Sequence, residues 1–323
     1  MSSASNTEAD GAVEDMPSCC SFCGIADKLV KCDGCDLVSY CGVKCQEDHR
    51  PLHEGRCKER AAELRDEILF KQPESTHLGD CPICMLPLLL DNNQFILLEC
   101  CSKPICCGCT FAMAEILIKK RATRADEKCP LCRRPANEKE NQFQKRVEAN
   151  DPLALRHMGM MCFQKGDHES ALKYTMKAAE FGDGGAHYKL FSLYKDGKHV
   201  EKDEEKKLFH LEEAAIAGHP YARCHLAEEE YDEYTAQGEI SRMKRSAKHL
   251  IIGANLGHEG SIKILTEMYK EGGVSKEDFT VALRAHHAAV NATKSPNREK
   301  AAALFCSELY ERWLEIRKDG MIS

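Results

Sequence analysis

Residues 20–57 read CSFCGIADKLVKCDGCDLVSYCGVKCQEDHRPLHEGRC, and the spacing of sulfur and imidazole in this stretch decides the fold of the first part of the chain. It contains two C-x2-C pairs, and such a pair on a tight turn places two thiolates about one tetrahedral edge apart, so each pair can supply half of a zinc site. The pairs Cys41-x3-Cys45 and His53-x3-Cys57 have the spacing of one helical turn, so each can bind a metal from one helix face. Four half-sites predict two zinc ions.

The order and spacing of these residues resemble a MYND finger, and the dipeptides Tyr40-Cys41 and Cys45-Gln46 are part of the likeness. The resemblance implies that the pairs interleave, with one zinc ion held by Cys20, Cys23, Cys41 and Cys45 and the other by Cys32, Cys35, His53 and Cys57. MYND fingers often bind proline-rich peptides in a groove to which a Trp contributes, but Arg50 stands at that position here. The finger therefore either docks a peptide or only stabilises a loop-rich segment, which needs the metal because about 40 residues cannot bury enough core alone.

A second cysteine-rich segment runs from residue 79 to residue 137. The pair Cys81-x2-Cys84 opens it, and the sequence LPLLLDNNQFILLE that follows predicts a β-hairpin turning at Asp91-Asn92-Asn93. The other predicted ligands are cysteines on either side of a predicted helix, TFAMAEILIKK: Cys100, Cys101, Cys106, Cys109, Cys129 and Cys132.

This succession of pair, hairpin, pair, helix and pair resembles a RING finger, whose ligands cross-brace two zinc ions. The resemblance implies one zinc ion held by Cys81, Cys84, Cys106 and Cys109, and a second held by Cys100, Cys101, Cys129 and Cys132. A RING usually has a His three residues before its fifth ligand, which is Cys106 here, but Lys103 stands at that position. All-cysteine RINGs instead have a Cys five residues before the fifth ligand, and Cys101 matches this spacing. Ligation by Cys100 as well requires an unusual local backbone, because the two cysteines are adjacent.

The RING resemblance also implies a docking surface for a ubiquitin-conjugating enzyme. The family uses an apolar residue inside the first pair, here Ile83, and a Pro in the last pair, here Pro130, with Leu131 beside it. The helix position often filled by Trp is Met113, a looser apolar contact. Arg133, just after the final ligand, can hydrogen-bond both the conjugating enzyme and ubiquitin.

Three side chains near these pairs are expected to be bystanders. Cys19 is a surplus thiol beside Cys20, which keeps the family spacing, and Cys107 is a surplus thiol in the second segment. His49 is predicted to be a surface residue rather than a ligand.

The composition indicates that the cysteines bind metal rather than form disulfides. Seventeen of the 20 cysteines of this 323-residue chain lie between Cys19 and Cys132. The acidic start carries no basic stretch followed by an apolar run, so no signal peptide is expected and the cytosol or nucleus is predicted, where thiols stay reduced. About four zinc ions are therefore expected. The net charge of −7 gives no reason to expect nucleic acid as a partner, and no apolar stretch is long enough to span a membrane.

The residues from 138 to 290 predict a stacked array of helical hairpins. Small and apolar residues recur after 36 and then 39 residues: Ala178, Ala214 and Gly253; Gly182, Gly218 and Gly257; Ala186, Ala222 and Ser261; Leu190, Leu226 and Leu265. Small residues let helices approach closely, and Gly accepts the left-handed conformation that ends a helix. The pattern resembles SEL-one-like repeats, and GDHESALKYTMKAAEFGD and VEKDEEKKLFHLEEAAIAGH carry the likeness. Lys207 and Glu230 depart from it, so an irregular third repeat is expected.

The predicted fold class is multidomain: two small cross-brace zinc-binding domains followed by an all-α helical-repeat solenoid. The segments are a disordered tail (1–16), the MYND-type finger (17–60), a helical linker (61–78), the RING-type finger (79–137), the helical repeats (138–290) and a C-terminal capping helix (291–323). Ser295-Pro296 is a good start for that last helix, whose apolar stripe is predicted to cover the end of the array.

Two functions from different classes fit this organisation. The first is a RING ubiquitin ligase without a nucleophile of its own, in which the repeats, and possibly the MYND finger, recruit a protein substrate. The second is a non-enzymatic adaptor whose fingers and repeats each bind a protein. The chain contains no glycine-rich phosphate loop, nucleophile elbow or HExxH motif that would point to other chemistry.

Overall fold

The structure is a computed structural model that describes residues 19–91, 94–119, 128–135 and 139–305. The chain divides into two compact units, Met1–Leu69 and Phe70–Ser323. The predicted tail at residues 1–16 lies outside the described residues. None of the described helices is long and apolar enough to cross a membrane.

The first unit contains one short antiparallel strand pair and one long helix. Strands β1 (Val30–Lys31) and β2 (Ser39–Tyr40) pair with Val30 opposite Tyr40, and helix α1 spans Val43–Leu69. The buried cluster around the predicted ligands in the described part of this unit consists of sulfur and one aromatic ring: Cys20, Cys32, Cys35 and Tyr40. A core of this kind supplies too little apolar area to hold the unit together without metal.

Helix α1 is longer than the sequence indicated. The sequence predicts a helical linker that begins only at residue 61, whereas α1 begins at Val43, passes through Pro51 and ends at Leu69. Ion pairs along its surface, such as Lys58 with Glu54 at 2.7 Å, support a helix with little apolar character. The proline removes one backbone donor without ending the helix.

The predicted helical linker, residues 61–78, is wrong beyond Leu69. Residues 70–78 have no helical structure and lie against the helical repeats instead. The Phe70 ring packs 4.6 Å from the ring of His249, and the His77 N–H donates to the Gly218 carbonyl oxygen at 3.0 Å. Pro73 favours this extended course because it disfavours a helical conformation for the residue before it.

The second cysteine-rich segment also pairs its strands differently from the prediction. Strand β3 (Phe95–Leu98) pairs antiparallel with β4 (Lys103–Cys106), and helix α2 (Cys107–Lys119) follows directly. The predicted hairpin, in which residues 86–90 would pair with 95–99, is therefore wrong. Pro87 lacks an N–H for a strand ladder and makes only an isolated bridge with Asp80.

The helical repeats form an array in which consecutive helices pack against each other. Their bounds are α3 (Lys139–Glu148), α4 (Pro152–Gln164), α5 (His168–Glu180), α6 (Gly184–Asp196), α7 (Glu204–Ile216), α8 (Pro220–Gln237), α9 (Ile240–Asn255), α10 (Glu259–Lys270) and α11 (Lys276–Ala292). Four of them begin with an aspartate whose carboxylate accepts a backbone N–H of the first turn: Asp151, Asp167, Asp183 and Asp203. These caps satisfy donors that the helix itself leaves without partners.

The positions that recur in the sequence are the close contacts of the array. Gly182, Gly218 and Gly257 follow helix ends with φ of 80°, 81° and 84°, the left-handed conformation that was predicted. The small residues of the second helix in each hairpin are fully buried, as are the leucines one turn further on, with exposures between 0 and 3%: Ala186, Ala222, Ser261, Leu190, Leu226 and Leu265.

The two departures from the repeat pattern are buried and paired. Lys207 is 8% exposed and reaches the carboxylates of Glu204 and Glu229. Glu230, also 8% exposed, accepts from Arg242 at 3.0 Å and from Arg245 at 2.6 Å. Ion pairs therefore replace apolar contacts in the third repeat, and α8 is longer than the other second helices of the hairpins.

The last described helix, α12 (Pro296–Phe305), begins where Ser295-Pro296 predicts, and the Ser295 hydroxyl accepts the Arg298 N–H at 3.3 Å. Its position differs from the prediction, because the described part of α12 packs on α2 of the second cysteine-rich segment rather than over the end of the array. Its buried residues are Arg298 and Ala301. The apolar stripe from Phe305 to Ile316 lies outside the described side chains.

Two glycines that follow helix ends should respond differently to alanine. Gly218 and Gly238 share a left-handed φ, but a Cβ at Gly218 would lie 2.5 Å from the Ser75 carbonyl oxygen, whereas nothing lies within 4 Å at Gly238. Gly238→Ala should cost about 1 kcal/mol from its conformation alone. Gly218→Ala should cost at least about 1 kcal/mol more, since residues 70–78 must move. Chemical denaturation of the zinc-loaded chain measures both, and equal losses would contradict this packing of residues 70–78.

Candidate metal centres

One C-x2-C pair, Cys106 and Cys109, lies where β4 ends and α2 begins, and the other four C-x2-C turns of the two segments share one backbone arrangement. In each, the residue after the second cysteine has a positive φ and donates its N–H to the carbonyl oxygen of the first cysteine. These residues are Gly24, Asp36, Met85 and Arg133, with φ between 57° and 77°. The turn directs both thiols of a pair to the same side, which is the requirement for half of a tetrahedral site.

The first unit brings its eight predicted ligands together in two groups. One group is Cys20, Cys23, Cys41 and Cys45, and the other is Cys32, Cys35, His53 and Cys57. Within each group the sulfur and nitrogen atoms that would bind a metal all lie within 4.8 Å of one another. The closest pairs are Cys35 Sγ to His53 Nε2 at 3.1 Å and Cys23 Sγ to Cys41 Sγ at 3.4 Å.

Different elements carry the two halves of these groups. Cys41 precedes α1, and Cys45 lies in its first turn, so this pair does not bind from one helix face as the spacing suggested. His53 and Cys57 do lie one turn apart within α1. Gly34 lies opposite Cys57, and a Cβ there would be 3.0 Å from the Cys57 sulfur.

Tyr40 and His49 support the second group from outside. The Tyr40 hydroxyl lies 2.9 Å from His49 Nδ1, and the His49 ring stacks on the His53 ring with 5.6 Å between centroids and 9° between planes. This arrangement holds the orientation of the ligand imidazole. The spacing of Tyr40 and His49 in the sequence carried no signal for this contact, since the rings meet only after β2 and α1 have packed.

The second segment brings its eight predicted ligands together in two crossed groups. One is Cys81, Cys84, Cys106 and Cys109, and the other is Cys100, Cys101, Cys129 and Cys132. The sulfur–sulfur distances across each group are 3.5 to 3.8 Å. The first and third pairs of the sequence share one group, and the second and fourth share the other.

The adjacent thiols of Cys100 and Cys101 reach one group because the chain turns sharply there. Residues 99–102 connect β3 to β4, the Cys101 N–H donates to the Leu98 carbonyl oxygen at 3.1 Å, and Ser102 has a φ of 51°. A positive φ at a non-glycine residue is an unusual backbone conformation, and here it directly follows the two adjacent ligands. Ser102 is the strained position that the sequence did not mark.

The spacing of the thiols matches zinc and excludes disulfides. A zinc–sulfur bond of about 2.3 Å gives a tetrahedral edge of roughly 3.8 Å. The closest sulfur atoms within the groups lie 3.4 to 3.8 Å apart. A disulfide bond would place them at about 2.05 Å.

Backbone donors favour the thiolate form of the first cysteine of a C-x2-C pair in three groups. Hydrogen bonding from the Cys23 N–H is the main cause that lowers the pKa of Cys20 to about 6. Burial raises the pKa of Cys81, but N–H groups, above all that of Cys106, outweigh it and bring the pKa to about 7. Cys129 is lowered to about 7 in the same way, by the turn N–H groups that follow it and against its burial.

Other thiols of the groups resist ionisation because they hydrogen-bond with neighbouring thiols or are buried. Hydrogen bonding with Cys41 is the largest cause that raises the pKa of Cys45 to about 12. Burial, followed by the Cys32 thiol, raises the pKa of Cys57 to about 12. Thiolates this close are stable together only around a cation, and soft Zn2+ suits the sulfur-rich donor set. The four groups are therefore consistent with several zinc ions.

The five predicted docking residues lie on the second segment. Ile83 is 39% exposed in the turn of the first pair, and Arg133 is exposed after the last one. Met113 on α2 and Leu131 are half-buried and pack against the same apolar cluster. Pro130 is half-buried beside Leu131, whereas Ile83 is not part of that cluster.

The predicted bystanders lie outside the metal groups of the described residues. Cys19 is half-buried, and Cys107 is buried at the start of α2. His49 is half-buried rather than a plain surface residue, because it packs between Tyr40 and His53.

Comparison with known proteins identifies the first segment. The MYND finger family model matches residues 20–57, and no curated protein matches the chain. Among solved structures, the chain is similar to a Sel1 repeat protein from Oxalobacter formigenes, with 23% identity and a TM-score of 0.34 over 40% of this chain and 98% of the other. It is also similar to a protective antigen of uropathogenic Escherichia coli strains displaying an SLR fold, with 17% identity and a TM-score of 0.28 over 56% and 51%.

Together these observations define a class of protein. The chain has a MYND zinc finger, further cysteine groups suited to zinc, and a mostly helical, repeat-like body. Such a combination is suited to protein–protein interaction, because stacked helical hairpins present an extended surface.

Removal of a single ligand should remove a single zinc ion. Cys35→Ser replaces a thiol that is 1% exposed and 3.1 Å from His53, so the chain should retain about three of about four zinc ions. Cys19→Ser is the matched control outside every group, and it should retain all of them. Metal analysis of the purified variants checks the count, and zinc loss from both variants, or from neither, would contradict the assignment.

Proposed function

We propose that this protein is a RING-type ubiquitin ligase, in which the second finger binds a ubiquitin-charged conjugating enzyme and the helical repeats, SEL-one-like in pattern, recruit a protein substrate. The observation that carries the proposal is the exposed Ile83 on a turn held by two candidate metal ligands. Reduced thiols require a reducing compartment, so we also propose the cytosol or nucleus as its location.

The position of Ile83 supports a docking role. The turn from Cys81 to Leu86 is closed by two backbone hydrogen bonds, from Met85 to Cys81 at 2.8 Å and from Cys81 to Leu86 at 2.9 Å. Ile83 therefore projects from a rigid turn, and so does Met85, which is 70% exposed. Exposed apolar side chains on a rigid element lose little conformational freedom when a partner covers them.

The helix and the last turn extend this apolar surface. Met113 and Leu131 pack on the cluster that contains Cys81, Cys106 and Ile105. Their position depends on that core and on the metal groups. A conjugating enzyme that covered Ile83 and the edge of Leu131 would bury apolar area on a surface that is already ordered.

The backbone around Arg133 supports a role for this residue in the second part of the proposed activity. Its N–H is bound to the Cys129 carbonyl oxygen at 3.0 Å and its φ is 62°, so the backbone fixes the direction in which its exposed side chain leaves the turn. A guanidinium there can donate to a conjugating enzyme and to ubiquitin at once. Catalysis would then consist of holding the thioester in the conformation that a substrate lysine attacks, without a nucleophile from this chain.

The alternative is an adaptor that binds proteins without promoting transfer. Large apolar side chains are exposed on both units, including Phe22 and Leu52 on the MYND finger and Phe181 and Phe209 on the repeats. They offer contacts for partners whether or not the second finger recruits a conjugating enzyme. Arg50, at the family's Trp position, is exposed and provides no aromatic wall for a proline-rich peptide.

A reconstituted ubiquitination assay with a panel of conjugating enzymes tests the proposal. The unsubstituted chain should form ubiquitin chains on itself, and Ile83→Ala should reduce the rate by about tenfold or more because it removes buried apolar area from the docking contact. Ile240→Ala, an exposed isoleucine on α9, is the matched control and should leave the rate unchanged.

Arg133→Ala should separate binding from transfer. It should retain binding of the conjugating enzyme while it slows discharge of ubiquitin to free lysine. If no enzyme of the panel supports chains while pull-downs still recover partners, the protein is the adaptor.

A further inference from the structure

One buried arginine joins the last described helix to the second finger. Arg298 is 6% exposed, and its guanidinium donates to the carbonyl oxygens of Pro87 at 2.6 Å and Leu86 at 3.2 Å and to the sulfur of Cys84 at 3.5 Å. It also donates to the Thr293 carbonyl oxygen at 2.8 Å, where α11 ends. A single side chain therefore bridges the end of the repeat array and the turn that carries Ile83 and Cys84.

An independent feature brings α12 to the same place. A Cβ at Gly108 would lie 2.7 Å from the Arg298 backbone nitrogen and 2.8 Å from its Cγ, so only a hydrogen fits between α2 and α12 at this crossing. Gly108 lies between Cys106 and Cys109, the two members of the same metal group that α2 and β4 contribute. Two contacts thus join α12 to the group of Cys81, Cys84, Cys106 and Cys109: the hydrogen bonds of Arg298 and the close packing of α12 on Gly108.

The charges at this point are complementary. A buried guanidinium loses its hydration, and in the described part of the chain its partners are three carbonyl oxygens and the thiols of Cys84 and Cys106, without a carboxylate. Four thiolates around one Zn2+ keep a net negative charge. A buried cation in hydrogen-bond contact with one of those sulfurs stabilises that charge and fixes the sulfur's position.

We propose that Arg298 is a positioning residue for the first metal group of the second finger, and that α12 is a strap that holds zinc in this group. Through this strap the end of the array contacts the finger. The sulfur of Cys84 is thus held by a residue more than 200 positions further along the chain. The proposal concerns metal retention and does not depend on ligase activity.

Zinc release from the full-length, zinc-loaded chain to a chromogenic chelator tests the strap. Arg298→Met keeps the apolar bulk and removes the charge and the donors, so one of about four zinc ions should leave roughly ten to a hundred times faster, the range for lost outer contacts of metal ligands. Lys300→Met removes a charge from an exposed position of the same helix and should release zinc at the original rate. Arg298→Lys can reach fewer acceptors, so its rate of zinc release should lie between those of the other two variants.

Alkylation with peptide mapping identifies the group that opens. Cys81, Cys84, Cys106 and Cys109 should react faster in Arg298→Met, while the eleven cysteines of the other three groups react at the original rate. Gly108→Ala should give the same selective release with Arg298 intact, because the added Cβ displaces α12. Equal rates for Arg298→Met and Lys300→Met, or acceleration spread over all four groups, would overturn the proposal; so would unchanged release from Gly108→Ala.

Discussion

Close packing of thiolates is the constraint on which the cysteine-rich part of this structure depends. Each of the four groups holds its donor atoms within 4.8 Å of one another. Thiolates at such distances repel each other, and a central cation converts this repulsion into the main stabilising interaction. The short strands and tight turns around the groups carry little apolar core of their own, so metal binding and folding of these segments are one process.

The helical repeats obtain their stability in a different way, and the second finger shares in it. Small residues such as Ala186 and Ala222 are fully buried and let the helices approach, while leucines fill the space between them. Residues 70–78 lie along this array through Phe70 and His77, and Arg298 returns from its far end to the finger. Within the unit Phe70–Ser323, the finger is therefore attached to the array by residues 70–78, which precede it in the chain, and by α12, which follows the array.

The features that sequence predicted are those set by local spacing. C-x2-C pairs, helix-ending glycines such as Gly182, and the Ser295-Pro296 start depend on a few neighbouring residues, so the pattern is visible in one dimension. The strand pairing failed because apolar character alone does not choose a partner: residues 86–90 are apolar, yet β3 pairs with β4 around the turn that holds Cys100 and Cys101.

The contacts that sequence could not predict join residues of different secondary-structure elements, which meet only when those elements pack. Arg298 resembles any surface arginine of a helix until α12 crosses Gly108, and His49 resembles any surface histidine until it meets Tyr40. Lys207 and Glu230 appeared as departures from a repeat, and only their partners explain why charged side chains are tolerated in buried positions.

The attachment of finger to array bears directly on the proposed ligase. Transfer of ubiquitin requires that a substrate lysine reach the thioester, and the frequency of that encounter depends on how firmly the two binding surfaces are held relative to each other. A finger on a flexible tether would sample a large volume. Here the turn that carries Ile83 is hydrogen-bonded to Arg298, and Arg298 is bonded in turn to the end of α11, so few rotatable bonds separate the docking surface from the array. A substrate bound to the array would therefore be presented at a nearly fixed distance, and the same rigidity would serve an adaptor that must hold two proteins in one orientation.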